Sequence, residues 1–458
     1  MRLSLATLGS LAPEVARPDY DRDAQAIGVV HFGLGAFHRA HQAVYTDAAM
    51  AAGDRDWGIA GLSLRSPGVR DQLAPQGGLY TVTTRSGEGE ATRLVGSVKR
   101  ALTAFEGEEI VNLLAAPSTH IASFTVTEKG YCRAPDGSLD FAGATSHSIY
   151  GWLELGLARR REAGLPGLTL LSCDNLPENG RVLERLLDEH LARADAGLAR
   201  WVAAECAFPS TMVDRIVPAT TPADLDAVER RIGLRDEAAV ITEPFSQWVI
   251  EDRFAGPRPR WQAGGAQFVA DVRLHETAKL RMLNGAHSAL AYLGLLRRHQ
   301  FVHEAIADPA IRPVVERLMR DEAAPTLEPS FDAQAYADAL LARFENPALP
   351  HRLRQIAMDG SQKIPQRWLA TLACHQRHGR QCLAILQALA AWIVHVRGDG
   401  APVDDPLADR LAALWREEGE SGIVAVLFGA NGLFAADWQA NDDDRQAIEG
   451  WLGQEIPH

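Results

Sequence analysis

Seven short runs rich in β-branched and aromatic residues lie between residues 27 and 272, and the signal stops there. They are "IGVVHFG" (27–33), "WGIAGLSL" (57–64), "LYTVTT" (79–84), "IASFTVTE" (121–128), "LTLLSCDN" (168–175), "AVITEPF" (239–245) and "AQFVADV" (266–272). Amphipathic segments such as "SIYGWLELGLARRREAG" and "GRVLERLLDEHLARADAGLARWVAAE" separate some of them. Strands that alternate with helices predict a mainly parallel α/β sheet. From 276 onward, "HEAIADPAIRPVVERLMRDEA", "DAQAYADALLARF" and "CLAILQALAAWIVHVRG" repeat apolar residues at helical spacing. A chain of 458 residues is too long for one ordinary core. The expected organisation is an α/β domain over 1–275 followed by an all-helical domain over 276–458.

Charge and cysteine usage narrow the partners. A net charge of -13 argues against a nucleic-acid partner, which wants a basic face, and the triplet "RRR" at 159–161 reads as a solvated helix end. The five cysteines are scattered without CxxC spacing, which fits a reducing, cytoplasmic setting and no structural zinc. The start "MRLSLATLGSLAPEVARP" is broken by polar residues before it reaches signal-peptide length, and no later window has the roughly 18 apolar residues of a membrane span.

The first chemical signal is "VVHFGLGAFHRAHQ". A strand runs into Gly33-Leu34-Gly35, and Ala36 and Phe37 open a helix; backbone N–H groups in this arrangement receive a pyrophosphate. The third glycine of G-x-G-x-x-G is replaced by His38. The acid expected near the end of the second strand is also missing, and "GLSLRSPGVR" offers Ser63, Arg65 and Ser66 instead. Arg65 is either an exposed loop residue or faces a 2′-phosphate, so these residues leave the choice between NAD and NADP open. His38 and His41 lack a third ligand nearby and read as packing around the loop, and no metal site is expected. Cys173 and the tryptophans Trp57, Trp152, Trp201 and Trp248 read as core.

Lysine is the second signal. It occurs only at Lys99, Lys129, Lys279 and Lys363, so 42 of 46 basic residues are arginine. On a helix turning about 100° per residue, Glu276, Lys279, Leu280, Leu283, Asn284 and His287 share an arc of roughly 140°. An acid, an amine, an amide and an imidazole make a poor packing face, because buried polar groups need partners. Burial can lower an ammonium pKa until it gives up its proton, whereas guanidinium stays protonated. Oxidation of an alcohol without a metal needs such a base for the hydroxyl proton while hydride departs, and neutral donors to hold the alkoxide. Asn284 suits the donor role. Asn175, just past the carboxyl end of a strand, is either a second donor or one half of a turn-forming Asp-Asn pair.

In their order along the chain, "GLGAFHRAHQ", "FTVTEKGY", "LLSCDNLPENG", "FPSTMVDRIVP", "EPFSQWVIEDRF", "KLRMLNGAHSALAYLG" and "DGSQKIPQR" resemble the mannitol dehydrogenase family of polyol-specific long-chain dehydrogenases. The resemblance spans nearly the whole chain. It implies an expanded Rossmann domain, a helical domain and a zinc-independent NAD-linked reaction on a small-molecule substrate. By the same resemblance Lys279 is the general acid/base, Asn175 and Asn284 the oxyanion-binding pair, and His287 a substrate hydroxyl contact. Asp214 is a further substrate contact, Glu276 a proton-path or gating group, and Lys129 a neighbour of the nicotinamide. Within the family, "TEKGYC", "KLRMLNG" and "MDGSQKIPQR" are more similar to the fructuronate reductases, or D-mannonate oxidoreductases. A uronate carries a carboxylate, and Lys363 with Arg367 would supply the cation for it. The competing readings are a mannitol or arabinitol-type polyol dehydrogenase, in which Lys363 binds a hydroxyl, and a dinucleotide-binding sensor without catalysis. The retained lysine argues against the sensor.

Overall fold

The strand signal resolves into eleven strands among the residues described by the computed structural model, 1–400 and 402–453. They are β1 (Ile27–Phe32), β2 (Gly58–Ser63), β3 (Tyr80–Ser86), β4 (Gly89–Val95), β5 (Val98–Thr103), β6 (Ile121–Phe124), β7 (Thr169–Ser172), β8 (Thr211–Asp214), β9 (Val240–Thr242), β10 (Gln247–Glu251) and β11 (Gln267–Val269). The main sheet has the order β5-β2-β1-β6-β7 and is parallel throughout. β2, β6 and β7 are buried along their whole length, as strands covered on both faces must be, and that is why they read as unbroken apolar runs. Two mixed three-stranded sheets, β11-β10-β8 and β4-β3-β9, complete the unit. Every predicted run contains a strand. β4, β5, β8 and β10 were not foreseen: β4 and β5 carry charged residues on exposed positions, and β8 and β10 end in Asp214 and Glu251, each followed by a further charged residue.

The chain divides into two compact units, Met1–Arg273 and Leu274–His458, so the fold class is a parallel α/β domain followed by a helical one. Positions 454–458 of the expected helical domain lie outside the described residues. In the first unit, the long amphipathic segment after β7 breaks into helices Asn179–Ala194 and Ala196–Glu205. Asp195 between them is extended and accepts hydrogen bonds from Gly197 N and Leu198 N, a side-chain cap that starts the second helix. The arginine triplet also departs from expectation. Arg160 is buried and donates to the carbonyls of Leu114, Ala116 and Pro166, so only its two neighbours behave as a solvated helix end.

Among its described residues the second unit holds helices and no strand beyond an isolated bridge between Phe301 and Arg352. Helix Gly285–Leu296 is buried without interruption from Gly285 to Gly294, and helix Leu383–His395 is buried at nine positions. Helices apolar on all sides belong in a core, and these two form the centre of this one. Glu322 is buried, and its carboxylate accepts from Ala384 N at 2.7 Å and Ile385 N at 2.8 Å, satisfying the first free N–H groups of Leu383–His395. Glu322→Leu should therefore lower unfolding stability by about 1–3 kcal/mol for each donor left unpaired. Glu322→Gln, which keeps one acceptor, should lose less; chemical denaturation followed by circular dichroism would measure both.

Candidate active site

β1 lies mid-sheet, with β2 on one side and β6 on the other, so the strand order reverses at its carboxyl end. Parallel sheets bind ligands at such a point. The chain leaves β1 through Gly33, whose φ is +104° and where a Cβ would lie 2.1 Å from Thr125 O; both conditions demand glycine. Gly33 N and Leu34 N donate to Leu62 O, each at 2.9 Å, which ties the loop to β2. Gly35 is exposed, with nothing nearer to an added Cβ than Gly33 O at 3.8 Å, and helix Ala36–Ala40 starts directly after it. The loop is therefore open at Gly35, Ala36 and Phe37, where the first helical N–H groups have no acceptor within the helix. These residues fit a dinucleotide phosphate.

The missing third glycine is explained by packing. His38 stacks on His31 with ring centroids 3.4 Å apart, and His31 bonds Ser123 Oγ at 2.8 Å and Thr125 Oγ1 at 2.9 Å. Burial pushes the His31 imidazole down to about 3 and His38 well below its usual range, so both stay neutral. His41 stacks on Phe37 and its Nε2 meets Gln247 O at 2.9 Å. Among the described residues no group of three or more His, Cys, Asp or Glu side chains is arranged to hold a metal ion.

Arg65 is exposed just past β2, and its guanidinium donates to Thr127 Oγ1 at 3.0 Å. Since Thr127 follows β6 and β1 lies between the two strands, that side chain crosses the carboxyl end of β1. Lys129 is exposed in the turn Glu128–Tyr131. A hollow of about 690 Å³ beside the carboxyl ends of β2 and β5 is lined by Leu64, Ala104, Phe105, Val111 and Trp152. Phe105 is 90% exposed there, and nothing in the sequence singled it out. Asn175 is exposed three residues past β7. Its neighbour Asp174 is buried and accepts from Val126 N, Thr127 N and the Tyr131 hydroxyl, which fixes the β6 loop to the β7 loop. Asp214 is buried at the end of β8, paired with Gln247 of β10.

In the second unit, the segment bearing Lys279 is not a uniform α-helix. An α-helix over Arg273–Ala278 passes into a π-helical turn, Lys279–Asn284, before α-helix Gly285–Leu296. The i→i+5 turn is wider than an α turn, so the 100° extrapolation from Glu276 to His287 does not hold. Lys279 is 8% exposed and His287 9%, whereas Glu276 and Asn284 are half-buried. Another π turn, Pro365–Leu369, carries Arg367, whose Nη1 donates to Ser288 Oγ at 2.7 Å and, longer, to Asn284 O at 3.4 Å. Lys363 Nζ donates to Met358 O at 2.5 Å, and the start of its helix, Gly360–Ile364, is pinned by Asp405, which accepts from Ser361 N and Ser361 Oγ.

Burial, reinforced by His351, Arg343, Arg367 and Lys279, holds the His287 imidazole well below its usual range. Burial also lowers Arg367 to about 10, which leaves it a cation at neutral pH, and lowers Lys363, with Arg367 as the next cause. The second unit thus gathers the electrostatically coupled Lys279, His287 and Arg367, with Asn284 and Lys363 alongside. It also brings in Arg343, Phe344 and His351, which sequence reading passed over because one more arginine in an arginine-rich chain carries no signal.

The description "Mannitol dehydrogenase Rossmann domain" matches residues 27–263, and "Mannitol dehydrogenase C-terminal domain" matches residues 271–452. The chain is 41% identical to D-mannonate oxidoreductase of Escherichia coli (strain K12) over 452 residues, which are 94% of this chain and 93% of that one. It is 37% identical to mannitol 2-dehydrogenase of Pyrenophora tritici-repentis over 439 residues, 90% of this chain and 77% of that one. Among solved structures it is similar to Pseudomonas fluorescens mannitol 2-dehydrogenase in ternary complex with NAD and D-mannitol, with TM-score 0.82, 34% identity, and 99% and 96% of the two chains covered.

Gly33→Ala combines a disfavoured φ with a backbone collision. It should weaken binding of a reduced nicotinamide dinucleotide by about tenfold or more, the equivalent of ~1.4 kcal/mol, as read by quenching of protein fluorescence.

Proposed function

The chain belongs to the mannitol dehydrogenase family, and we propose that within it this protein interconverts a secondary alcohol and a ketone of a linear sugar acid, D-mannonate and D-fructuronate. It is an oxidoreductase, and NAD is its cofactor. The observation that supports an acidic substrate is the company of His287: the charged groups that act most strongly on it, Arg343, Arg367 and Lys279, are all cationic. Such a pocket favours a substrate that brings a negative charge of its own. The 41% identity to a D-mannonate oxidoreductase points the same way. The 37% identity to a mannitol 2-dehydrogenase keeps the neutral polyol as the reading to be tested against it.

In this reading Gly33, Gly35, Ala36, Phe37 and Arg65 hold the dinucleotide and Lys129 stands at its nicotinamide end. The hollow at Phe105 takes the adenine ring. The nicotinamide held beside Lys129 would supply the hydride chemistry, its oxidised form serving alcohol oxidation and its reduced form ketone reduction. Lys279 takes the hydroxyl proton in oxidation and returns it in reduction, and Glu276 relays that proton onward. The amides of Asn284 and Asn175 donate to the oxygen as charge develops on it. His287, kept neutral, and Asp214 orient the substrate's other hydroxyl groups, with Lys363 and Arg367 adding positive charge. A cytoplasmic setting, consistent with five free cysteines, belongs to the same proposal.

Oxidation of NADH at its absorbance band, with D-fructuronate beside D-fructose, tests the substrate. Turnover of fructuronate in preference to fructose is expected, and the reverse preference would move the chain to the polyol dehydrogenases. Lys279→Ala should lower kcat by about 10²–10⁴-fold, and Lys279→Arg should not rescue it, because guanidinium cannot exchange the proton. Arg65→Ala should weaken NADPH binding by roughly tenfold, the worth of one charge-assisted contact, while NADH binding changes by no more than about threefold. Dissociation constants from fluorescence titration would read this difference.

A further inference from the structure

Asn175, read above as a donor to the developing oxyanion, is exposed between two buried residues, Asp174 and Leu176. Leu176 belongs to a hydrophobic core shared with residues of β1, β6 and β7. The Asp174 carboxylate holds Val126 N, Thr127 N and the Tyr131 hydroxyl. The Asp174 carbonyl is held as well: it accepts from Leu176 N at 2.9 Å and from Asn179 Nδ2 at 2.8 Å, which uses both of its lone pairs. A carbonyl fixed by two donors fixes the plane of its peptide, and that peptide carries the nitrogen of Asn175.

Asn179 does more than close this turn. It is fully buried as the first residue of helix Asn179–Ala194. Its second amide hydrogen goes to Thr211 O at 2.8 Å, and its Oδ1 accepts from Thr211 N at 2.9 Å. The side chain therefore pairs with both backbone groups of Thr211, as a neighbouring strand would. Gly180 permits the approach, since a Cβ there would lie 2.6 Å from Phe208 O and Pro209 O, in the segment that leads into β8. Thr211 Oγ1 in turn donates to Ser172 O at 2.7 Å, at the end of β7. One amide thus joins the turn of Asn175 to the first residue of β8, the strand whose last residue is Asp214. A buried amide is tolerated when its donors and acceptor are paired, and here all three bonds go to these two segments.

We propose that Asn179 is a positioning residue: by fixing the Asp174–Asn175 peptide against β8, it presets the Asn175 amide for the oxygen on which charge develops. This rests on the reading of Asn175 as an oxyanion donor. Such donors accelerate a reaction when they need no reorganisation as charge appears, and a donor on a loose turn would lose part of that advantage. Asn179, wholly enclosed by protein, takes no part in proton or hydride transfer.

The test is a double-mutant cycle on kcat, with whichever of D-fructuronate and D-fructose wild type reduces faster. Asn175→Ala should lower kcat by about 10²–10³-fold. Asn179→Ala should lower it by roughly tenfold or more, and so should Asn179→Asp, which keeps an acceptor for Thr211 N but gives up the donors to Asp174 O and Thr211 O. The aspartate variant stands in if the alanine variant does not fold. NADH dissociation constants should stay within about threefold of wild type. In the Asn175→Ala background, either change at Asn179 should lower kcat by no more than about twofold, because groups that act as a unit are not additive. An equal loss from the Asn179 variants in both backgrounds, or no loss in either, would overturn the positioning role while Asn175 keeps its own. If Asn175→Ala leaves kcat unchanged, the oxyanion reading fails and the positioning role fails with it.

Discussion

A buried N–H must find an acceptor, and much of this architecture is arranged around that requirement. Buried carboxylates meet it at several places, and three of them tie separate segments together. Asp236 accepts from Thr81 N, Ala238 N and the Gln76 amide, and so joins β3 to the segment entering β9. Asp174 accepts from Val126 N and Thr127 N, and Glu322 accepts from the start of the central helix of the second unit. Burial raises the pKa of all three, while the hydrogen bonds they accept pull it back down. Each is a charge stabilised by backbone dipoles, and removing it would unpair several donors at once.

The division into a parallel-sheet domain and a helical one was legible because doubly covered strands leave continuous apolar runs, whereas helices leave a 3.6-residue period. Strands that carry charge on one face, such as β4, or that end in an acid beside further charge, such as β8, send no comparable signal. The break at Asp195 and the burial of Arg160 depend on contacts with distant carbonyls or local caps that periodicity cannot register. Of the candidate site, Gly33 was legible through the strand-to-helix turn and Lys279 through its rarity. Asn284 and Asn175 were candidates from a helix face and a strand end, whereas Asp214 and a role for Glu276 came only with the family resemblance. His351 and Phe344 were not legible, because nothing local marks an imidazole whose importance comes from a ring 64 positions earlier in the chain.

The nucleotide-binding unit shows how one loop is over-determined. Gly33 is fixed by its own φ and by the proximity of Thr125, while Thr125 also bonds His31, and His31 stacks on the residue that replaced the third glycine. The replacement was possible because a stacked pair of neutral imidazoles supplies the close helix-to-strand packing that the glycine otherwise permits. A degenerate fingerprint therefore coexists with a fully formed loop.

The π turn at Lys279–Asn284 has a consequence for how this helix tolerates change. A π turn amounts to one extra residue lodged in a helix, held in place by packing on both sides. Deleting one residue of the turn would let the segment relax to α-helical bonding, and because an α-helical residue turns through more than a π-helical one, the helix that follows would keep nearly its present facing. The buried run from Gly285 to Gly294 would therefore stay in its core, whereas Lys279 and Asn284, at the two ends of the turn, would be brought closer along the chain. The extra residue thus sets the spacing of the side chains the turn carries without re-aiming the helix behind them.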